Sequence, residues 1–354
     1  MRSLLFGAWC LIPIPCRAAD DWHTFTDLSG RRMVGKVLRV DAEVVVVELK
    51  GNSQQVSIPF DKLSPGDVMY ALQHSDGPTP AAKPQPAPDA TAPAATPAGA
   101  TDASHLYPRT RKEIEAGIKE IAKRPKPKDL SSEVHEATKQ LNIFRFLCGV
   151  PSNVKGDMEF SKNAEDAALA CKQAGNISHS LGHSTDHCNL SSMGNMVATV
   201  AQYIEDGGDN NRDGRGHRAW CLNPPMGKVG FGSGGKAFSA MWCMDGSGTP
   251  QKGTWSYPGM GMFPLEYMRG NAWSLYGIDG TILPKVEIVR LAKRPEQPFP
   301  ATGDIPGHVV KVVHVSRAMM NGINFEPAEP AKRGIYWVRV TSESLHEGYV
   351  VELF

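Results

Sequence analysis

The run from Gly77 to Ala103 constrains the fold most: it is rich in proline and alanine and carries almost no bulky apolar side chain. Such a run buries too little apolar surface to offset the entropy lost on ordering, so an extended, flexible linker is predicted over 76–108. The linker divides the 354 residues into a short N-terminal part and a long C-terminal part. The long part has enough chain for a full-sized core. The 27 prolines and 35 glycines add turns and loops to that picture.

The first residues read as an export signal. Arg2 is basic, Leu4 to Pro15 is apolar, and the small residues Ala18 and Ala19 follow. A signal peptide over 1–19 is predicted, and with it a secreted or periplasmic location. The apolar stretch is too short to cross a bilayer. Cys16 as a lipidated cysteine fits poorly beside Pro13 and Pro15. No later apolar run reaches membrane-spanning length, so no integral membrane span is expected. A formal net charge of +1 supplies no strong field for nucleic acid or an anionic membrane.

Removing the leader leaves Cys148, Cys171, Cys188, Cys221 and Cys243. In an oxidising compartment disulfides persist, and an odd count leaves one sulfur over. The expected pairs are Cys221 with Cys243, and either Cys148 with Cys171 or Cys171 with Cys188.

Within 20–75, Val37, Leu38, Val40, Val44 to Val47 and Leu49 make β-type runs, and Lys50-Gly51-Asn52 supplies a turn. Val56 to Phe60 makes a second run, and Asp61 to Asp67 a short capped helix. The segment Phe25 to Arg31, followed by Val56 to Phe60 and Lys62-Leu63-Ser64, resembles the SLA1 homology domain 1. That family has an SH3-like barrel and binds short peptides in its eukaryotic members; no motif here places binding residues.

Past the linker, a helical connector is predicted over 109–130, with Ile114, Ile118 and Ile121 on one face and Arg124-Pro125 ending it. A second helix begins near Ser131, with Val134, Ala137, Leu141, Phe144 and Cys148 inward; a third runs from about Asn163 to Ala174. Ala237 to Met244 and Ala272 to Tyr276 read as strands. Beyond Thr281 the pattern is all β, which predicts a β-sandwich appendage over 281–354.

Leu141-Asn142-Ile143-Phe144-Arg145, Ile177-Ser178-His179 and Gly216-His217-Arg218-Ala219-Trp220-Cys221 lead to Lys228-Val229-Gly230-Phe231-Gly232 and Tyr257-Pro258-Gly259. In this order they resemble the CAP superfamily of SCP/PR-1-like extracellular domains. The resemblance implies an α+β fold over 131–280, a CAP-type αβα sandwich, here with an N-terminal SH3-like module and a C-terminal β extension. It also implies an open cavity lined by two histidines and two acidic residues. His179 and His217 match the histidines. One acidic position falls at Met193-Gly194-Asn195, where the glutamate is missing; the other falls at Glu205 or Asp206, with Glu205 taken as the cavity member.

Two imidazoles with a carboxylate nearby are able to hold Zn or another divalent cation. Against that, His217 and Arg218 anchor loops by hydrogen bonding, and convergence of the rings decides between the two. His179, His183 and His187 sit at helical spacing, but Gly182 and its polar neighbours favour a loop cluster over a metal site. Asp209 to Gly214 matches the first half of a Ca²⁺ loop; Trp220 stands where the closing glutamate belongs, so a hydrated turn is preferred. Gly230 to Gly235 leads into a strand rather than a helix, which reads as a hairpin turn and not a dinucleotide site. Trp242, Trp255, Tyr257, Phe263, Tyr267 and Trp273 are read chiefly as core.

The expected function is a non-enzymatic binding module that takes a lipid, glycan or peptide into the cavity of His179 and His217. The rival is a divalent-metal-dependent hydrolase with Glu205 as base. A scaffold whose N-terminal part does the recognising is a third reading.

Overall fold

The computed structural model describes residues 22–26, 32–41, 44–59, 62–63, 67, 70–71, 106–208, 211–278 and 282–354. The expected signal peptide and nearly all of the expected linker lie outside these residues.

The N-terminal strands β1 (His23–Thr26), β2 (Arg32–Asp41), β3 (Val44–Leu49) and β4 (Gln55–Pro59) form one antiparallel meander. A register shift between Val37 and Arg39 marks a bulge in β2, which adds local twist. Phe25, Val37, Val45, Val47 and Ile58 are buried, and Leu63 closes the same core.

Helix α1 (Arg111–Ala122) opens with a capping box: the Thr110 side chain accepts from Glu113 N–H, and the Glu113 carboxylate accepts from Thr110 N–H. Ser131 caps α2 (Ser132–Leu147). After the short β5 (Lys155–Gly156), Asp157 accepts from the backbone of Glu159 and Phe160 and starts α3 (Met158–Ala174). The helix therefore begins earlier than the predicted Asn163, at its true cap. The chain continues through α4 (His183–Asp186), β6 (Cys188–Ser191), α5 (Met196–Glu205), α6 (Gly216–Cys221), β7 (Lys228–Ser233) and β8 (Ser239–Trp242).

Strands β5, β7, β8 and β6 lie in that order in one sheet, with β5 and β7 parallel. One face meets α3, whose Ala164, Ala167, Ala168 and Cys171 pack against Leu190, Ala240 and Trp242. On the other face Val229, Phe231 and Met241 join a core shared with Leu141 and Phe144 of α2 and Val200 of α5. The glycines of β7 alternate with Val229 and Phe231, as strand geometry requires. A Cβ at Gly230 would lie 2.0 Å from Phe160 C, and one at Gly232 would lie 2.0 Å from Glu165 N. These glycines let a helix backbone lie against the strand. The expected hairpin turn is confined to the end of the run, where Gly235 has φ 99°.

The remaining strands are β9 (Trp255–Tyr257), β10 (Gly261–Phe263), β11 (Trp273–Tyr276), β12 (Lys285–Leu291), β13 (His308–Val310), β14 (Val312–Ala318), β15 (Gly322–Pro327), β16 (Gly334–Thr341) and β17 (His346–Leu353). They make two sheets, ordered β14-β15-β11-β9 and β10-β17-β16-β12-β13. Trp273 joins them: its ring lies 6.3 Å from Phe325 of β15 and 5.7 Å, edge-on, from Tyr336 of β16. Strands β9 to β11 come from within 131–280, yet β11 pairs with β15, and β10 runs parallel to β17. The β-rich part thus reaches back across residue 281.

This architecture overturns the expected fold class. The described residues hold more strand than helix, 32% against 26%, in four sheets, which is not a CAP αβα sandwich. Helix α3 covers one face of the β5-β7-β8-β6 sheet, and α2 and α5 share the core on the other. The aromatic stretch 255–276, expected to belong with those helices, gives its strands to the C-terminal sheets instead.

The expected disulfides are absent as well: Cys148, Cys171, Cys188, Cys221 and Cys243 are all free and buried. The side chain of Asn189 shows why Cys221 and Cys243 stay apart. Its amide donates to Cys221 Sγ at 3.9 Å, and its oxygen accepts from Cys243 Sγ at 3.6 Å. Burial pushes the thiols up, Cys148 and Cys243 to about 12, which keeps them protonated and inert.

Candidate functional site

Helix α5 ends at Asp206, a non-glycine residue in the left-handed region at φ 47°, ψ 47°. That turn aims a fully buried carboxylate at the start of α6. Asp206 Oδ2 accepts from the backbone N–H of His217 at 2.9 Å and of Arg218 at 3.3 Å. Oδ1 accepts from His217 Nδ1 at 2.8 Å. One carboxylate therefore caps a helix and orients an imidazole.

Arg218 fixes this corner to the rest of the molecule. Its buried guanidinium donates to the carbonyls of Ile204 at 2.5 Å, Glu205 at 2.9 Å and Ala272 at 3.0 Å, and to Ser274 Oγ at 2.8 Å. It also lies 4.5 Å over the Tyr257 ring. Arg215 holds the Asp206 carbonyl at 2.8 Å and pairs with Glu326. The expected loop-anchoring bonds are made by both residues, Arg218 through its guanidinium and His217 through Nδ1 to Asp206, which leaves His217 Nε2 for other use.

Across the site, His179 donates from Nδ1 to the Thr185 carbonyl at 2.9 Å. Thr185 Oγ1 returns a bond to the His179 carbonyl at 3.2 Å. The His179 and His217 ring centroids stand 6.4 Å apart. Each ring has its Nδ1 committed and its Nε2 without a partner among the described residues. Burial, and then the neighbouring His217, push the His179 pKa down to about 4, so the ring is neutral at pH 7. Tyr203 lies 5.3 Å from the His217 ring and donates its hydroxyl to the Asn189 carbonyl at 2.8 Å.

Both imidazoles line an open crevice of about 780 Å³. The N-terminal part supplies further wall, through Trp22 ahead of β1, His23 and Arg32 of the meander, and Asp67 and Tyr70 after it. His23 Nε2 bonds Asp67, and the His23 ring stacks on Tyr70 at 3.8 Å. Asp186, on the imidazole side, has its pKa pushed up to about 6, first by burial and then by the Asp67 charge; Arg32 and His23 pull it down.

The structure thus places His179 and His217 on the wall of one crevice. It does not bring Glu205 to them: Glu205 is exposed and lines a separate 260 Å³ hollow with Arg212, Arg215 and Glu326. Asp206, one residue on, is the carboxylate of the crevice. The missing glutamate at Gly194 has a steric reason, since a Cβ there would lie 1.9 Å from the Gly235 carbonyl oxygen. His183 and His187 are ring neighbours at 4.2 Å on the short α4. His187, however, stacks on Trp242 at 5.1 Å, and His179 turns to His217 instead. In the candidate Ca²⁺ loop, residues 209–210 lie outside the described residues; Asp213 bonds His314 at 2.7 Å. Trp242, Trp255, Tyr257, Phe263 and Trp273 are buried in the core, with Tyr267 partly buried beside them.

The donor set does not fit a resident zinc. Two imidazoles on one tetrahedral zinc put their ring centroids about 5 Å apart, and these stand at 6.4 Å. Among the described residues no group of three His, Cys, Asp or Glu is placed to hold a metal ion. Asp206, the nearest carboxylate, spends its oxygens on His217 and Arg218.

Sequence reasoning reached the histidines but missed Asp67, Tyr70, Asp186, Gln202 and Tyr203 on the crevice wall. Helical spacing in Met196 to Glu205 was a usable signal for the last two. Comparison with known proteins matched no family model and no curated protein.

Proposed function

We propose that this chain is an extracytoplasmic binding protein that takes a polar ligand (glycan, peptide or lipid headgroup) into the His179–His217 crevice. The leader-like residues 1–19 support the location. One observation carries the binding reading: two imidazoles, each fixed at Nδ1, present bare Nε2 atoms to one open crevice. Groups oriented in this way recognise a ligand at small entropic cost.

The carboxylate behind His217 favours a second reading, hydrolysis. With Nδ1–H bonded to Asp206, His217 Nε2 holds a lone pair able to take a proton from an attacking water.

Thermal-shift and mass measurements on the full chain test both readings, using a neutral oligosaccharide, a tetrapeptide and a lysophospholipid as probes. A probe that raises the melting temperature of the native chain, but not of His179→Ala or His217→Ala, supports binding at the crevice. Probes that act equally on all three proteins, or on none, contradict it. Turnover of p-nitrophenyl acetate that is lost in His217→Ala moves the balance to hydrolysis.

A further inference from the structure

The crevice is built from two parts of the chain that the sequence separates widely. From the body come His179, Asp186, Gln202, Tyr203 and His217; from the N-terminal part come Trp22, His23, Arg32, Asp67 and Tyr70. Aromatic rings therefore stand on one side, Trp22 and the His23–Tyr70 stack, and the two imidazoles line the other; Tyr203 is buried beside His217.

Between these rings the groups are polar and mostly acceptors. Among the described residues, the charged side chains on the wall are Arg32 against Asp67, Asp186 and Asp206, with Asp67 bonded to His23 and Asp206 to His217. His179 is neutral at pH 7, so it adds no positive charge. An anionic ligand meets more negative than positive charge on entering, and a desolvated anion is costly without a matched cation. A purely apolar ligand would strip water from Asp186 and both Nε2 atoms and offer no hydrogen bond in return. Flat rings flanked by carboxylates, an amide and imidazole nitrogens suit a molecule that is apolar on its ring faces and hydroxylated at its edge. A sugar has both surfaces. The volume of about 780 Å³ suits several linked rings, since drug-sized sites span about 300–1,000 Å³.

We propose that the N-terminal module forms one wall of the ligand site and that the composite crevice binds a neutral oligosaccharide. The proposal rests on the binding reading above and adds the ligand class and the second contributor. Trp22 stacks on a sugar face, while His179 Nε2, His217 Nε2 and Asp186 accept from hydroxyls.

The test is calorimetric titration of the full chain with the β-1,4-linked N-acetylglucosamine tetramer, with tetragalacturonate as the anionic comparison. Saturable binding of the neutral tetramer is expected, with no binding of the anionic one. Trp22→Ala, a change at the edge of the meander that leaves its core intact, is expected to weaken binding about tenfold, the loss of one stacking plane. Tyr70→Phe keeps the ring and is expected to bind within about twofold of the native chain. Neutral-tetramer binding that is lost in His217→Ala but untouched by Trp22→Ala overturns the module's part and leaves the crevice standing. Binding untouched by both variants overturns the crevice reading with it. No binding of the neutral tetramer, or equal binding of the anionic one, overturns the oligosaccharide assignment, while the probe series under Proposed function still decides whether the crevice binds at all.

Discussion

Asp206 Oδ1 lies 2.8 Å from His217 Nδ1, and the same carboxylate caps the helix that carries the histidine. Loss of the carboxylate should therefore cost stability and site geometry together. Asp206→Ala is expected to lower unfolding free energy by about 3 kcal/mol, since buried charge-assisted bonds lose their acceptor. Asp206→Asn should cost about half as much. Urea denaturation measures both. A loss below 1 kcal/mol for the alanine variant would show that Asp206 does not hold this corner.

Two groups on the crevice wall set opposing pH slopes. His179 has its folded pKa lowered from 6.5 to about 4. The unfolded chain therefore binds the proton more readily, and this contribution to stability is lost as pH falls from about 6.5 toward 4. Asp186 has its folded pKa raised from 3.8 to about 6. Its contribution is full below pH 3.8 and is lost as pH rises through 6. Asp186→Asn should thus steepen the loss of stability on acidification by about 1 kcal/mol between pH 4 and 7, since solvent screens this half-exposed carboxyl, and His179→Gln should flatten it by on the order of 2 kcal/mol. Parallel stability–pH curves for the native chain and both variants would refute the assignment.

How far the sequence carried can be seen residue by residue. The helical face of Val134, Ala137, Leu141 and Phe144 was legible because its spacing is local and strong. The same holds for the late β strands and for the two histidines, whose flanking motifs are distinctive. What escaped was non-local. The pairing of β10 with β17 joins residues ninety positions apart, and no local pattern encodes it. Glu205 and Asp206 are neighbours with the same charge; only the left-handed turn at Asp206 decides which one faces inward. Gly230 and Gly232 read as a turn, because a sequence does not reveal that a helix backbone lies against them.

That close approach is open to test. Gly232→Ala sets a methyl 2.0 Å from Glu165 N, a backbone atom with little room to move. A loss of about 3 kcal/mol is expected from forcing α3 off the sheet. Gly246→Ala, where a Cβ meets nothing within 4 Å, should change stability by less than about 0.5 kcal/mol. Equal effects at both positions would contradict the packing described.

Arg145 is buried with only backbone carbonyls around it, those of Pro151, Cys221, Asn223 and Pro224, and burial lowers its pKa to about 10. Arg145→Met leaves those oxygens without a donor and is expected to cost about 4 kcal/mol by denaturant titration. Arg145→Lys should recover less than half of that, because an ammonium cannot reach the same set of oxygens. A neutral methionine variant would mean the loop 221–224 is held by something else.

Alkylation mapped by mass spectrometry reports on the thiols. Without reductant, Cys148, Cys171, Cys188, Cys221 and Cys243 should all resist modification in the folded protein and all react once it is unfolded. A Cys221–Cys243 disulfide in the mapped peptides would show that Asn189 does not keep those sulfurs apart.

The imidazole pair itself is tested most directly by long-range ¹H–¹⁵N correlation spectra of the histidines at pH 8, assigned with His179→Gln and His217→Gln. Both rings should carry their proton on Nδ1 and show an unprotonated Nε2, and His217→Gln should move the His179 titration upward from about 4 by removing a neighbouring positive charge. A proton on Nε2 of either ring, or a His179 titration indifferent to residue 217, would mean that the two rings do not share one crevice.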